Sequence, residues 1–311
     1  MATKTGISNH SGVPEHKQQY ATGFVTAPDG VTIGYRQLGH GPGVVLLHGA
    51  MESAGSHMQL AAALADAFTV YVPDRRGRGL SGPYSKEYSI QSDVADMEAI
   101  LTKTGVHNVF GVSAGADIWL EAALSLPAIQ KAALYEPALF ADAAEPRAFL
   151  TRFDREMAQG KLAAAMVTAM KGAQMGPPIF NAMPRWLLES LTGSAMKGEQ
   201  KKSKPGDITM ETLAPTLHYD FALVSALSGH FQDFQEVRAE VLLLGGSKSP
   251  AYLKSALTHL EKILPHVAGR IEFPGLDHGG SSDVSKTNRG GNPELVAQEL
   301  RRFFAKPEDC Q

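Results

Sequence analysis

The sequence predicts an α/β protein: a mostly parallel sheet of about eight strands, flanked by helices and interrupted by one long helical insertion. Three observations carry this. Short apolar runs alternate with segments of helical period, the pattern of βαβ crossovers. Several runs are continuously apolar, as expected of strands covered on both faces. Between residues 141 and 237 the strand signal stops and then resumes.

The elements follow in chain order. Residues 1–20 lack periodicity and read as a mobile tail. Phe24 to Thr26 and Val31 to Gln37 are two strands joined at Asp29-Gly30, a hairpin signal. Gly43 to Leu47 is a buried strand, residues 56–67 a helix, and Phe68 to Val72 the next strand. Ile90, Val94, Met97 and Leu101 recur at helical spacing within an amphipathic helix over Ser89 to Thr104. Asn108 to Val112 is a strand, followed by a helix to about Leu126, and Lys131 to Tyr135 is the sixth strand. Ala239 to Gly245, a helix over Pro250 to Leu264, and Arg270 to Phe273 complete the sheet. The last helix starts at Asn292 as N-cap with Pro293 behind it and buries Val296, Leu300 and Phe303. The domain boundaries expected are a core over 21–140 and 238–306 and a helical lid over 141–237. That segment is rich in Met and Ala, with breaks at Pro177-Pro178 and Pro184, and Lys197 to Asp207 reads as a solvated loop.

Composition narrows the function. A net charge of −3 with 20% charged residues sets up no field for nucleic acid or an anionic membrane, so neither is an expected partner. Cys310 is the only cysteine, which leaves no disulfide or thiolate metal site within the chain. Met1 to Gln19 carries no apolar run, and no run of about 18 apolar residues occurs anywhere, so a cytoplasmic protein is expected. Monomer and homodimer both stay open.

Phe110-Gly111-Val112-Ser113-Ala114-Gly115 contains Gly-x-Ser-x-Gly between a strand and a helix. A serine there sits on a tight turn with its hydroxyl exposed beside the first amides of the helix, which suits a nucleophile whose attack creates an oxyanion. A serine hydroxyl needs a base, and the base needs an orienting partner. In a parallel sheet the loops after different strands converge on one edge. Of eleven histidines, His278 lies just past the last strand in a Gly-rich loop, where it could reach Ser113; His218 and His230, in the insertion, remain as alternatives.

Residues from about 23 to 305 resemble the α/β-hydrolase family. The residues that carry the resemblance are His48-Gly49, the run Asp74-Arg75-Arg76-Gly77-Arg78-Gly79-Leu80-Ser81, the Ser113 elbow and Asp277-His278-Gly279. The resemblance implies an eight-stranded sheet, a lid after the sixth strand and a Ser-acid-His triad needing no cofactor, with Ser113 as nucleophile and His278 as base. Most members carry the acid as Asp after the seventh strand. Here that stretch is Gly245-Gly246-Ser247-Lys248-Ser249-Pro250, without a carboxylate. Glu136, ending the sixth strand, is the substitute; some relatives, including fungal zearalenone lactonases, place the acid there. Asp277, next to His278, is a poor orienter, and Asp220 and Asp233 are the other carboxylates in question. The oxyanion donors expected are the backbone N–H groups of Ala114 and of Ala50, with Met51 next in line. His48 and the arginine loop read as structural.

The function expected is cleavage of a carboxylic ester or lactone of an apolar or aromatic small molecule through an acyl-enzyme, with no metal. Met51, Met166, Met170, Trp186 and Leu187 are the expected pocket residues. The same triad can also hydrolyse carbon–carbon bonds or make peracids, and the fold can serve as a non-catalytic small-ligand receptor.

Overall fold

The structure, a computed structural model, describes residues 20–176 and 179–305. The expected tail (apart from Tyr20), the Pro177-Pro178 break, Lys306 and Cys310 lie outside them.

The strands are β1 (Ala21–Thr26), β2 (Thr32–Gly39), β3 (Gly43–Leu47), β4 (Thr69–Pro73), β5 (Asn108–Val112), β6 (Lys131–Tyr135), β7 (Glu240–Gly246) and β8 (Val267–Phe273). They form one sheet in the order β1-β2-β4-β3-β5-β6-β7-β8. Only β2 runs against its neighbours. The apolar run of β3 is explained by cover on both faces. Val45 and Leu47 pack in one core with α2 (Ile90–Thr104), α3 (Ala114–Ser125) and α10 (Ala251–Ile263), whereas Val44 and Leu46 pack with α1 (Met58–Leu64) and α11 (Pro293–Phe304).

Local signals act as read. Ser89 and Ser92 form a capping box at the start of α2, and Gly105 closes that helix in the left-handed region at φ 66°. The Asn292 side chain accepts from the Leu295 N–H at the start of α11, behind which Pro293 sits. Several boundaries differ from the sequence reading: β1 begins at Ala21 rather than Phe24, and the helix Arg185–Gln200 takes in the first four residues of the expected Lys197 to Asp207 loop. The helix expected over 56–67 is a 3₁₀ turn, Ala54–His57, followed by α1. β8 begins at Val267 rather than Arg270: Val241 pairs with Val267 but Leu242 with Gly269, so Ala268 is an extra residue in a bulge, and the small residues there hide the strand.

Between β6 and β7 the chain makes α4 (Ala144–Ala158), α5 (Leu162–Gly172), α6 (Ile179–Ala182), α7 (Arg185–Gln200), α8 (Met210–Leu213) and α9 (Leu217–Leu227). Phe153 of α4, Ala165 of α5, Met196 of α7 and Leu217 of α9 share a small core, against which Ala50 and Met51 of the loop after β3 also pack. Among the described residues, no helix is long and apolar enough to cross a membrane.

Register decides where chemistry can happen. Leu47 pairs with Gly111, Val112 with Tyr135, and Tyr135 with Leu244. The residues that follow these strands therefore emerge side by side on one edge.

Candidate active site

Ser113 joins β5 to α3 at φ 54°, ψ −126°, a backbone conformation that costs a residue with a side chain about 1–3 kcal/mol. The flanking glycines make the turn possible. A Cβ at Gly111 would lie 2.5 Å from the Gly115 carbonyl oxygen, and one at Gly115 would lie 2.5 Å from that of Leu47. The Ser113 carbonyl accepts from the N–H groups of Ala116 and Asp117, so the helix begins at the serine itself. The side chain of Ser113 borders a cavity of about 460 Å³, as does His278.

Glu136, fully buried, follows β6 at φ 50°. Its N–H donates to the Leu244 carbonyl at 3.0 Å. Its Oε1 accepts from the Gly246 N–H at 2.6 Å, and its Oε2 is 2.7 Å from His278 Nδ1. The carboxylate lies over the glycine end of β7, where a Cβ at Gly245 would sit 2.9 Å from Oε1. The loop carrying His278 is tied down by the Tyr135 hydroxyl, which donates to the Asp277 carbonyl at 2.8 Å. With Nδ1 held by the carboxylate, Nε2 is the nitrogen left for the cavity.

The other carboxylates are engaged elsewhere. Asp277 Oδ1 caps the Gly279 N–H. Asp220 accepts from Arg75 at 2.7 Å and from Arg78 at 2.6 Å. Asp233 is exposed and pairs with His230 at 3.7 Å, while His218 pairs with Asp154 at 2.8 Å. Neither histidine of the insertion borders the cavity. Ser249, in the stretch after β7 that lacks a carboxylate, has a buried hydroxyl without a partner among the described residues.

The loop after β3 faces the first turn of α3, and Ala50, Met51 and Ala114 all border the cavity. No described group accepts from the N–H of Ala50, Met51 or Ala114. Met51, like Ser113 and Glu136, has a positive φ, 55°. Beneath this loop His48 is fully buried; it accepts from the Arg75 N–H at 3.0 Å on Nε2 and donates from Nδ1 to the Gly49 carbonyl at 2.9 Å. Burial, and then the nearby Arg78 and Arg75, push its pKa well below the ordinary value, so it stays neutral. Arg76 pairs with Asp96 and Asp29, which leaves the arginine loop spent on internal ion pairs.

Two helices of the insertion roof the cavity with one face each. Met166, Ala169, Met170 and Ala173 come from α5 and its end; Leu217, Asp220, Phe221 and Val224 come from α9. Both sets follow i, i+3, i+4, i+7 spacing. Of the expected pocket residues, Met51, Met166 and Met170 border the cavity, whereas Trp186 and Leu187 do not. The buried face of α7 is that of Leu188 and Met196, and Trp186 points away from it, 69% exposed. The sequence reading missed Phe140, Phe149, Phe221 and Tyr252. Phe140 stacks on Tyr252 at 4.5 Å, a contact between a loop after β6 and α10 for which no local pattern exists. Among the described residues no cluster of three His, Cys, Asp or Glu could hold a metal.

A model of the alpha/beta hydrolase family matches residues 44–287. An alpha/beta hydrolase from Sphaerobacter thermophilus is 28% identical, with a TM-score of 0.71 over 91% of this chain and 100% of that one. A thermophilic esterase from Thermogutta terrifontis is 15% identical, with a TM-score of 0.67 over 92% and 98% of the two chains. An epoxide hydrolase from Vigna radiata is 17% identical, with a TM-score of 0.61 over 94% and 99%. The last two, at such identities, speak for the fold alone. No functionally curated protein matches the sequence.

Proposed function

Since the chain belongs to the alpha/beta hydrolase family, we propose that it is a serine hydrolase cleaving a carboxylic ester or lactone of an apolar or aromatic substrate. The observation that supports this best is Ser113, held at φ 54° on the cavity that His278 also borders, with His278 Nδ1 2.7 Å from the Glu136 carboxylate. Ser113 Oγ attacks the carbonyl carbon while His278 Nε2 takes its proton. Glu136 keeps Nδ1 protonated and stabilises the imidazolium. The N–H groups of Ala114 and Ala50, with Met51 as the alternative second donor, receive the oxyanion; such a donor is worth about 3–4 kcal/mol in the transition state. Collapse expels the alcohol, which His278 protonates. Water activated by His278 then releases the acid from the acyl-enzyme.

The helical insertion over 141–237 acts as a lid in this reading, since α5 and α9 roof the cavity. Methionine and aromatic walls favour an apolar or aromatic acyl or alcohol group. A serine at the elbow, rather than an aspartate, argues against epoxide opening by a carboxylate.

The test is turnover of p-nitrophenyl butyrate together with labelling by a fluorophosphonate probe. Parent protein is expected to do both and Ser113→Ala neither. Absence of turnover and labelling in the folded parent, with small apolar ligands still bound, would overturn the reading in favour of a receptor.

A further inference from the structure

Glu52 lies directly after the strained Met51 and borders the cavity, yet the mechanism above does not use it. Its carboxylate collects three donors from three segments. Oε2 accepts from the Gly49 N–H at 2.9 Å and from His57 Nε2 at 3.1 Å; Oε1 accepts from the Ser282 hydroxyl at 2.6 Å. A Cβ at Gly49 would be 3.1 Å from the Ser113 Cβ and 3.4 Å from Glu52 Oε2, so the carboxylate and the nucleophile's Cβ both approach the open side of Gly49. Ser282 is on the loop that carries His278. That loop is stapled to the same 3₁₀ turn by the Asp283 N–H on the Ser56 carbonyl, and the Asp283 carboxylate accepts from the Gln59 N–H, both at 2.8 Å.

We infer that Glu52 is a positioning residue that clamps the Gly49–Met51 loop and locks it to the His278 loop, so that the loop's oxyanion donors and the base keep a fixed distance. This rests on the serine-hydrolase reading. The chemistry asks for a carboxylate. Three donors converge on it, and a glutamine offers one acceptor oxygen and an NH₂ that would face donors. A bare carboxylate beside the oxyanion loop would oppose the developing charge, and His57 Nε2, 3.1 Å from Oε2, offsets part of it. Burial disfavours the imidazolium, but Glu52 and then Asp283 outweigh burial and raise its pKa, while the same pairing helps hold Glu52 near 2. Direct substrate binding by Glu52 is disfavoured because its oxygens are already spent. Released from the clamp, Met51 can relax from its positive φ and carry the Ala50 and Met51 amides out of line.

Full-length Glu52→Gln and Ser282→Ala are compared with the parent for p-nitrophenyl butyrate turnover and inhibition by n-butylboronic acid, whose serine adduct is tetrahedral. Circular dichroism verifies folding. For Glu52→Gln, kcat is expected to fall about 10- to 100-fold with KM within about 3-fold, and the boronate Ki to rise by the same factor as kcat falls. Ser282→Ala, which keeps the carboxylate and removes one donor, should shift kcat and Ki together by about 3-fold. A folded Glu52→Gln with parental kcat and Ki overturns the clamp, as does a rise in KM with kcat kept. Should Glu52→Gln not fold, parental values in Ser282→Ala overturn it. A parent that neither turns over ester nor binds boronate overturns the serine-hydrolase reading itself, and the clamp falls with it.

Discussion

His278 Nδ1 lies 2.7 Å from Glu136 Oε2 across 142 residues of sequence, and the other oxygen of the same carboxylate is taken by the Gly246 N–H at 2.6 Å. Each oxygen therefore has its own donor, and the glutamate is held from the sixth and seventh strands at once. Glu136→Gln would present an amide with one acceptor to two donors. Either the Gly246 N–H or the imidazole loses its partner, and the histidine tautomer that leaves Nε2 free is no longer enforced. In the proposed mechanism kcat falls about 10³- to 10⁴-fold, with KM within a few-fold, in steady-state ester hydrolysis. Near-parental kcat would remove Glu136 from the mechanism.

Gly245 has no side chain because the carboxylate occupies its place. An added Cβ would meet Glu136 Oε1 at 2.9 Å and Leu257 Cδ1 at 2.8 Å. Both atoms end side chains, so they yield, and the carboxylate yields with them. Gly245→Ala is expected to fold with a stability loss of about 1–3 kcal/mol in chemical denaturation. Its kcat should fall about 10-fold or more, because a displaced acid misorients His278. Parental kcat with lowered stability would show that the acid tolerates displacement.

The sheet was legible because continuous apolar runs leave few alternatives: Val44 to Leu47 have no surface for water, and the sequence says so by having no polar residue among them. Ser113 was legible as a motif, and His278 as the histidine at the right end of the last strand. What stayed hidden is non-local. The stretch Gly245 to Pro250 reads as a missing acid, whereas in space its first residue, Gly245, leaves the room that Glu136 occupies. Trp186 and Leu187 are apolar, but hydrophobicity does not say which face of a helix looks inward. Glu52 gave no signal, since its three partners come together only through the fold.

Met170, partly buried, closes the cavity from α5 beside Met166. Met170→Trp adds volume to a space of about 460 Å³ without touching the Ser113 elbow. Across p-nitrophenyl acetate, butyrate and octanoate, kcat/KM should fall more steeply with chain length than in the parent, by about 10-fold or more at octanoate. Acetate should change by less than about 3-fold. A uniform loss over all three esters would mean that the acyl chain does not run along α5.

Asp117 offers a test of electrostatics away from the reacting groups. It is fully buried on α3; Oδ1 accepts from the Ala138 N–H at 2.9 Å, and Oδ2 has no partner among the described residues. Burial, by far the main influence, pushes its pKa well above the ordinary 3.8, against the Ala138 hydrogen bond and Arg75. A carboxyl whose folded pKa is raised binds its proton more tightly folded than unfolded. Its contribution to stability is fully present below about pH 3.8 and is lost as pH rises through the elevated folded value. Asp117→Asn keeps the acceptor for Ala138 and cannot ionise. The variant is therefore expected to lose less stability than the parent on going from pH 5 to pH 9, measured by urea denaturation at each pH, and to be the more stable of the two at the alkaline end. The difference should reach about 1 kcal/mol or more, the size of a single pKa unit. Parallel pH profiles for the two proteins would mean that Asp117 is ionised in the folded state, with a partner for Oδ2 such as an ordered water.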